Sequence, residues 1–157
     1  MAAEQAAPQT TVIREMNAYL RVKGAPQAIA FYQQAFGAKE LFRLSEPSGR
    51  IGHAELDIGG YKLMLSDEYP EHDIVGPETA SSVTSAMYLQ VSNADQVAAA
   101  AIAAGATIVT PLEDQFYGER SGKLRDPFGH HWMISQTVAR VSPEEMQQRF
   151  DAMFKSE

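Results

Sequence analysis

Apolar and polar residues alternate along several short stretches of the chain. Between these stretches lie segments in which apolar residues recur every three to four positions. Period-two alternation marks strands that bury one face, and the longer period marks amphipathic helices. The first alternating stretch, 15–22, leads into a helical pattern over 25–36. There Ala28, Phe31, Tyr32, Ala35 and Phe36 share a face and Gly37 follows as a C-cap. Strands are then predicted at 39–46, 50–58 and 61–67. The same order returns with a strand at 84–92 and a helix over 94–104. This helix has Asp95 in its first turn, a stripe of Val97, Ala101 and Ile102, and Gly105 behind it; strands follow at 107–113, 119–125 and 130–137. Near the C-terminus, Ser142-Pro143-Glu144-Glu145 has the composition of a capping box. Met146, Phe150, Met153 and Phe154 give the helix it opens an apolar stripe, which needs cover from its own subunit or a neighbour.

The recurrence extends to individual residues. Tyr19-Leu20-Arg21-Val22 aligns with Tyr88-Leu89-Gln90-Val91 at a shift of 69, and Gln27 aligns with Gln96. Gly37-Ala38 matches Gly105-Ala106 at 68, and Asp57, Gly60 and Met64 match Asp126, Gly129 and Met133 at 69 again. A constant shift with one single-residue gap is the mark of a duplication. The expected fold class is therefore α+β, with two βαβββ modules at 15–67 and 84–137 inside a single domain spanning 11–140. Residues 1–10 read as a disordered tail and 141–157 as a C-terminal helix. The connection 68–83, with two prolines and little apolar pattern, reads either as a linker or as a lid over a site.

Composition narrows the function classes. At 157 residues the chain suits one domain, and 13 basic against 20 acidic residues give a net charge of −7 with no Lys/Arg cluster. Nucleic acid and anionic membrane are poor partners for such a surface. With no cysteine, disulfides, thiolate metal sites and thiol catalysis are excluded. The most apolar stretch, 97–109, is mostly alanine and too short to span a bilayer, and the N-terminus lacks an export pattern, so a cytoplasmic location is expected. Neither a phosphate-binding loop, a dinucleotide fingerprint nor a serine nucleophile elbow is present.

The segments AYLRV, AIAFYQQAFGAKEL and GHAELDIGGYKLMLSDE, with AAGATIV, FYGER and LRDPFGHHWMIS in the second copy, resemble the vicinal oxygen chelate superfamily. This superfamily includes glyoxalase I, fosfomycin-resistance enzymes, extradiol dioxygenases and bleomycin-resistance proteins. The resemblance runs from Asn17 to Gln136 and is nearest to the small single-domain members. It implies eight strands curled into an incomplete barrel with helices outside, and a homodimer in which two copies complete each cleft. Metal-dependent relatives take one ligand from the first and one from the last strand of each copy. Here those positions hold Asn17, Met64, Ala86 and Met133, a set without the imidazole and carboxylate donors that a hard divalent ion needs, so no metal or other cofactor is expected.

Alternation assigns the cleft residues. If Leu20/Val22, Leu56/Ile58 and Leu89/Val91 pack on the helices, the opposite faces line a concave wall. The expected ligand-binding set is Asn17, Tyr19, Arg21, His53, Glu55, Met64, Tyr88 and Met133, with Arg120 at the mouth. His53, Glu55 and Glu119 are the candidate acid/base groups. His53 and Glu55 also form half of a displaced metal site or a plain polar pair at the cleft wall, and Glu119–Arg120 reads equally as an ion pair ordering a turn. The function expected is a metal-independent protein that binds a small organic ligand, a toxic or antibiotic compound being one candidate. The alternative is a glyoxalase-like lyase or isomerase.

Overall fold

The computed structural model describes residues 11–155, so the expected tail at 1–10 lies outside the described residues. The first module runs β1 (Ala18–Val22), α1 (Ala25–Phe36), β2 (Lys39–Ser45), β3 (Ile51–Ile58) and β4 (Tyr61–Asp67). The second repeats it as β5 (Ala86–Gln90), α2 (Ala94–Ala103), β6 (Thr107–Asp114), β7 (Glu119–Arg125) and β8 (His131–Thr137), and α3 (Pro143–Ala152) follows. Each module forms one four-stranded sheet, in the orders β1-β4-β3-β2 and β5-β8-β7-β6, and neither closes into a barrel. In both sheets the first strand pairs in parallel with the last and the remaining pairs are antiparallel. Among the described residues the sheets are not hydrogen-bonded to one another, and β1 and β5 are both edge strands.

One face of each sheet packs on helices. Leu20, Val22, Leu56 and Leu65 in the first module and Leu124, Trp132 and Ile134 in the second are buried. Burial of such side chains stabilises the fold by about 1.5–3 kcal/mol each. The helices join the modules: α1 packs against α2, and Tyr32 and Phe36 of α1 sit with ring centres 5.3 and 4.5 Å from Trp132 of β8. Asp126, buried at the end of β7, locks this seam. Its carboxylate accepts from the Tyr32 hydroxyl, from Trp132 Nε1 at 2.9 Å and from the backbone N–H groups of Phe128 and His130.

The duplication extends to the helix starts. Asp67 on β4 accepts from the N–H groups of Gly24 and Ala25 at the head of α1, while Gln136, 69 positions later on β8, accepts from Ala94 N at the head of α2. Satisfying these otherwise orphaned donors fixes each helix against its own sheet. The connection 68–83 contains two single 3-10 turns, Pro70–His72 and Ala80–Ser82, and runs past the end of β1 and the 126–129 turn. At Gly76 an added Cβ would lie 2.7 Å from the Arg21 carbonyl, so glycine is required for this close approach.

The C-terminal expectation needs correction in two respects. Ser142 Oγ accepts from Glu145 N at 3.1 Å, but the Glu145 carboxylate turns to Arg149 and leaves the capping box half-formed. The helix also stops at Ala152, so Met153 and Phe154 lie in the turn beyond it. No helix among the described residues is long and apolar enough to cross a membrane.

Candidate functional site

The face of each sheet turned away from the helices carries the polar side chains that alternation places there. On the first sheet, register puts Tyr19 beside Met64 and Met64 beside Glu55. The Tyr19 hydroxyl is 2.7 Å from His53 Nδ1, and His53 Nε2 is 3.2 Å from Glu55 Oε1, forming a phenol–imidazole–carboxylate relay. Lys62 approaches Glu55 Oε2 at 3.5 Å and Glu15 at 3.4 Å, and these two carboxylates, Glu15 foremost, raise its pKa. Arg21 lies over the Tyr19 ring at 4.2 Å and donates to Ser66 Oγ at 2.6 Å. Phe42 flanks His53 with ring centres 5.6 Å apart.

The second sheet presents the equivalent tyrosine with a different partner. Tyr88 donates to Glu119 Oε1 at 2.7 Å, and buried Ser135 donates to the other oxygen of the same carboxylate at 2.6 Å. Partial burial, offset by the Ser135 hydroxyl and reinforced by Glu119, raises the Tyr88 pKa. Lys123 pairs in register with Met133, and Arg125 with His131. Burial, followed by the charges of Arg125 and Lys123, lowers the His131 pKa.

The sequence-predicted set therefore falls into two clusters. Tyr19, Arg21, His53, Glu55 and Met64 share one open face, while Tyr88, Glu119 and Met133 share the other. Among the described residues no side-chain hydrogen bond or ring contact joins the two. A single concave wall within one chain is not what these contacts build. Tyr19 and Tyr88 remain 38% and 49% exposed because each stands on an edge strand without a neighbour. Asn17 precedes β1 and its amide donates to Glu15 at 3.1 Å.

Arg120 requires a correction. β7 begins at Glu119, so alternation turns the next residue to the helix side, where Arg120 pairs with Asp95 of α2 at 2.8 Å and with Asp114 at 3.3 Å. These two carboxylates hold its charge, and it is not at the mouth of an open face. The ion-pair reading of this segment applies, with Asp95 in place of Glu119. Sequence reasoning overlooked Lys62 and Ser66, although 62, 64 and 66 share a face by the same alternation that selected Met64.

The four positions that hold a metal in related folds are Asn17, Met64, Ala86 and Met133, and they do not fit one. Alanine has no donor, thioether sulfur is too soft for hard divalent ions, and the Asn17 amide oxygen alone is a weak neutral ligand. Among the described residues no three His, Asp or Glu side chains converge as an alternative ligand set.

The family model of the Glyoxalase/Bleomycin resistance protein/Dioxygenase superfamily matches residues 12–134. A Mycobacterium bovis protein, Mb0911c, is 40% identical over 135 residues, covering 84% of this chain and 89% of that protein. The crystal structure of TioX from Micromonospora sp. ML1 superposes with a TM-score of 0.60 at 30% identity, covering 78% of this chain and 98% of TioX. FosX, a fosfomycin resistance protein from Listeria monocytogenes, shares the fold at 19% identity with a TM-score of 0.62 over 86% of this chain and 99% of its own. The chain belongs to the Glyoxalase/Bleomycin resistance protein/Dioxygenase superfamily.

Proposed function

We propose that the chain is a metal-independent, cytoplasmic small-molecule-binding protein that works as a homodimer, with a toxic or antibiotic organic compound as ligand. The observation that carries this reading is the pair of tyrosines at 19 and 88. Each stands on an exposed edge strand with its hydroxyl already held, by His53 and by Glu119. Aromatic faces with oriented polar tips are suited to grip a planar or partly apolar ligand. A second copy would give β1 and β5 the neighbours they lack and would cover exposed Phe42 and Leu44 on the first open face. Asn17, Tyr19, Arg21, His53, Glu55, Met64, Tyr88 and Met133 remain the proposed ligand-binding residues, without Arg120.

The test is a melting-shift screen of bleomycin, fosfomycin and other antibiotics, run with and without EDTA on protein purified without a metal-affinity step. A ligand that raises Tm equally in both conditions, on a dimeric species by sedimentation, supports the reading. Stoichiometric metal in the purified protein, or a fall of several degrees in Tm with EDTA alone, overturns metal independence. A compact monomer at tens of micromolar removes the dimer.

A second reading is favoured by the Tyr19–His53–Glu55 relay, which is built to move a proton. In a lyase or isomerase the Tyr19 oxygen would take the substrate proton as its own passes to His53 Nδ1, so that His53 is the base, while Glu55 at Nε2 stabilises the imidazolium. Turnover of the hemithioacetal of methylglyoxal and glutathione, abolished in His53→Gln and insensitive to EDTA, would establish it. Failure of the wild type to turn over this substrate counts against it.

A further inference from the structure

Behind β5, on the helix side of the second sheet, lies a cavity of about 640 Å3 walled by Phe36, Leu63, Met87, Leu89, Val97 and Trp132. Tyr88 and Gln90 stand at its border. None of the proposed open-face residues except Tyr88 touches it. We propose that this cavity is a second binding site, for a small neutral apolar molecule such as an arene or a short hydrocarbon, separate from the open faces.

The duplication shows how the space arises. The helix-side residues of β1 are Leu20 and Val22, which are 6% and 0% exposed. Their counterparts 69 positions on, Leu89 and Val91, are only partly buried. α1 covers its own strand with Ile29, Phe31 and Tyr32, all buried, whereas the same shift places three alanines on α2. Of α2 only Val97 reaches the space, and its remaining wall comes from Ala18, Ala35, Phe36, Ile58 and Leu63 of the first module, so it lies between the modules beside the thinly covered β5. The space opens to solvent past exposed Tyr61 and Tyr88. An apolar body seated in it removes half-covered Met, Leu, Val and aromatic surface from water, which favours binding in proportion to the area covered. The volume of the space lies within the range of small-molecule sites. Lys62, also at the border, is already engaged by Glu55 and Glu15, which favours an uncharged occupant over an anion.

The single tryptophan of the chain, Trp132, forms part of the wall and reports occupancy directly. Iodobenzene, a neutral contact quencher, is titrated into the wild-type protein while Trp132 emission is followed. The expected result is saturable quenching. Val97→Phe and Met87→Phe, each filling the cavity from a different element, should weaken it about tenfold or more. Tyr19→Ala and His53→Ala, on the open face, should leave it unchanged, so failure here is distinct from failure of the open-face reading. Linear, unsaturable quenching in the wild type overturns the proposal, as does undiminished affinity in whichever filling variant remains folded. Loss of binding in Tyr19→Ala relocates the probe to the open face and also overturns it. A change from dimer to monomer in a filling variant would identify a second copy as the occupant and would count against a small molecule.

Discussion

The two modules share a backbone plan but present different chemistry at matching positions. Tyr19 meets an imidazole and Tyr88 meets a carboxylate. Glu55 stands beside Met64 where Lys123 stands beside Met133, so the two open faces carry opposite charge at one register position. The supporting roles have changed much less. Ser66 and Ser135 are both fully buried, and Asp67 and Gln136 both hold the start of a helix. A duplication constrains the residues that hold strands to helices, and it leaves the solvent-facing side of each sheet free to diverge toward a ligand. The contrast can be tested pair by pair.

The largest expected effect concerns Asp57 and Asp126. Asp57 sits in an exposed hairpin and its carboxylate accepts from Gly60 N at 3.0 Å. Asp126 is 3% exposed and accepts from two backbone groups and two side chains, one of them Tyr32 across the seam between modules. Asp126→Ala should cost about 3–5 kcal/mol, since it strands several buried donors at once. Asp57→Ala should cost about 1 kcal/mol or less, the worth of an exposed turn bond. Urea denaturation measures both, and equal losses would remove Asp126 from its role at the seam.

Next in size is Tyr32, whose counterpart is Ala101. Burial first, and then the neighbouring Asp126 carboxylate, raise the Tyr32 pKa well above its ordinary value of 10.0. The folded chain therefore holds this proton more tightly than the unfolded chain. The resulting stability is complete below about pH 10 and is lost as pH rises beyond it. Tyr32→Phe should cost about 1.5–3 kcal/mol at neutral pH by deleting a bond to a charged acceptor, and should flatten the alkaline decline. Parallel alkaline profiles for variant and wild type would exclude Tyr32 as its source.

Most of the fold was legible because its signals are local. The repeat of Tyr-Leu-x-Val and of Asp, Gly and Met at a shift of 69, together with alternation, placed the eight strands to within three residues at each end. Which face each side chain occupies followed from parity alone, as for His53 and Glu55. Arg120 failed because grouping it with Glu119 as one loop element ignored that β7 starts at Glu119, where a one-residue step changes face. The separation of the open faces was not legible either. Packing of α1 against α2 and of Phe36 on Trp132 decides it, and no periodicity encodes contacts between modules.

The third test compares the tyrosines themselves. For a ligand found by the melting-shift screen, Tyr88→Ala should weaken binding by about 1–3 kcal/mol through lost aromatic burial while the melting curve stays cooperative. Tyr88→Phe keeps the ring and should cost less, about 0.5–1.5 kcal/mol, the value of one hydrogen bond. Tyr19→Phe also unties His53 from a phenol, so it should weaken binding more than Tyr88→Phe does. Titration calorimetry on the two variants reads this. Equal losses would mean that the partner of each tyrosine does not distinguish the faces.

The smallest effect separates Lys62 from His131, again 69 positions apart. Lys62 faces Glu15 and Glu55, and its charge is favoured. His131 is partly buried and faces Arg125 and Lys123, with Asp126 as a weaker opposing charge and His130 adding to the repulsion. Its pKa is lowered from 6.5, so protonation is harder in the folded chain than in the unfolded one. The corresponding stability is present above about pH 6.5 and is lost as pH falls toward the folded value. His131→Gln should therefore reduce the slope of Tm against pH just below 6.5, whereas Lys62→Gln should leave that slope unchanged because a lysine does not titrate there. The comparison fails if the acid-side slope survives in His131→Gln. If Lys123→Gln reduces that slope by raising the His131 pKa, the repulsion across β7 and β8 is its electrostatic source, and the second open face differs from the first by charge as well as by shape.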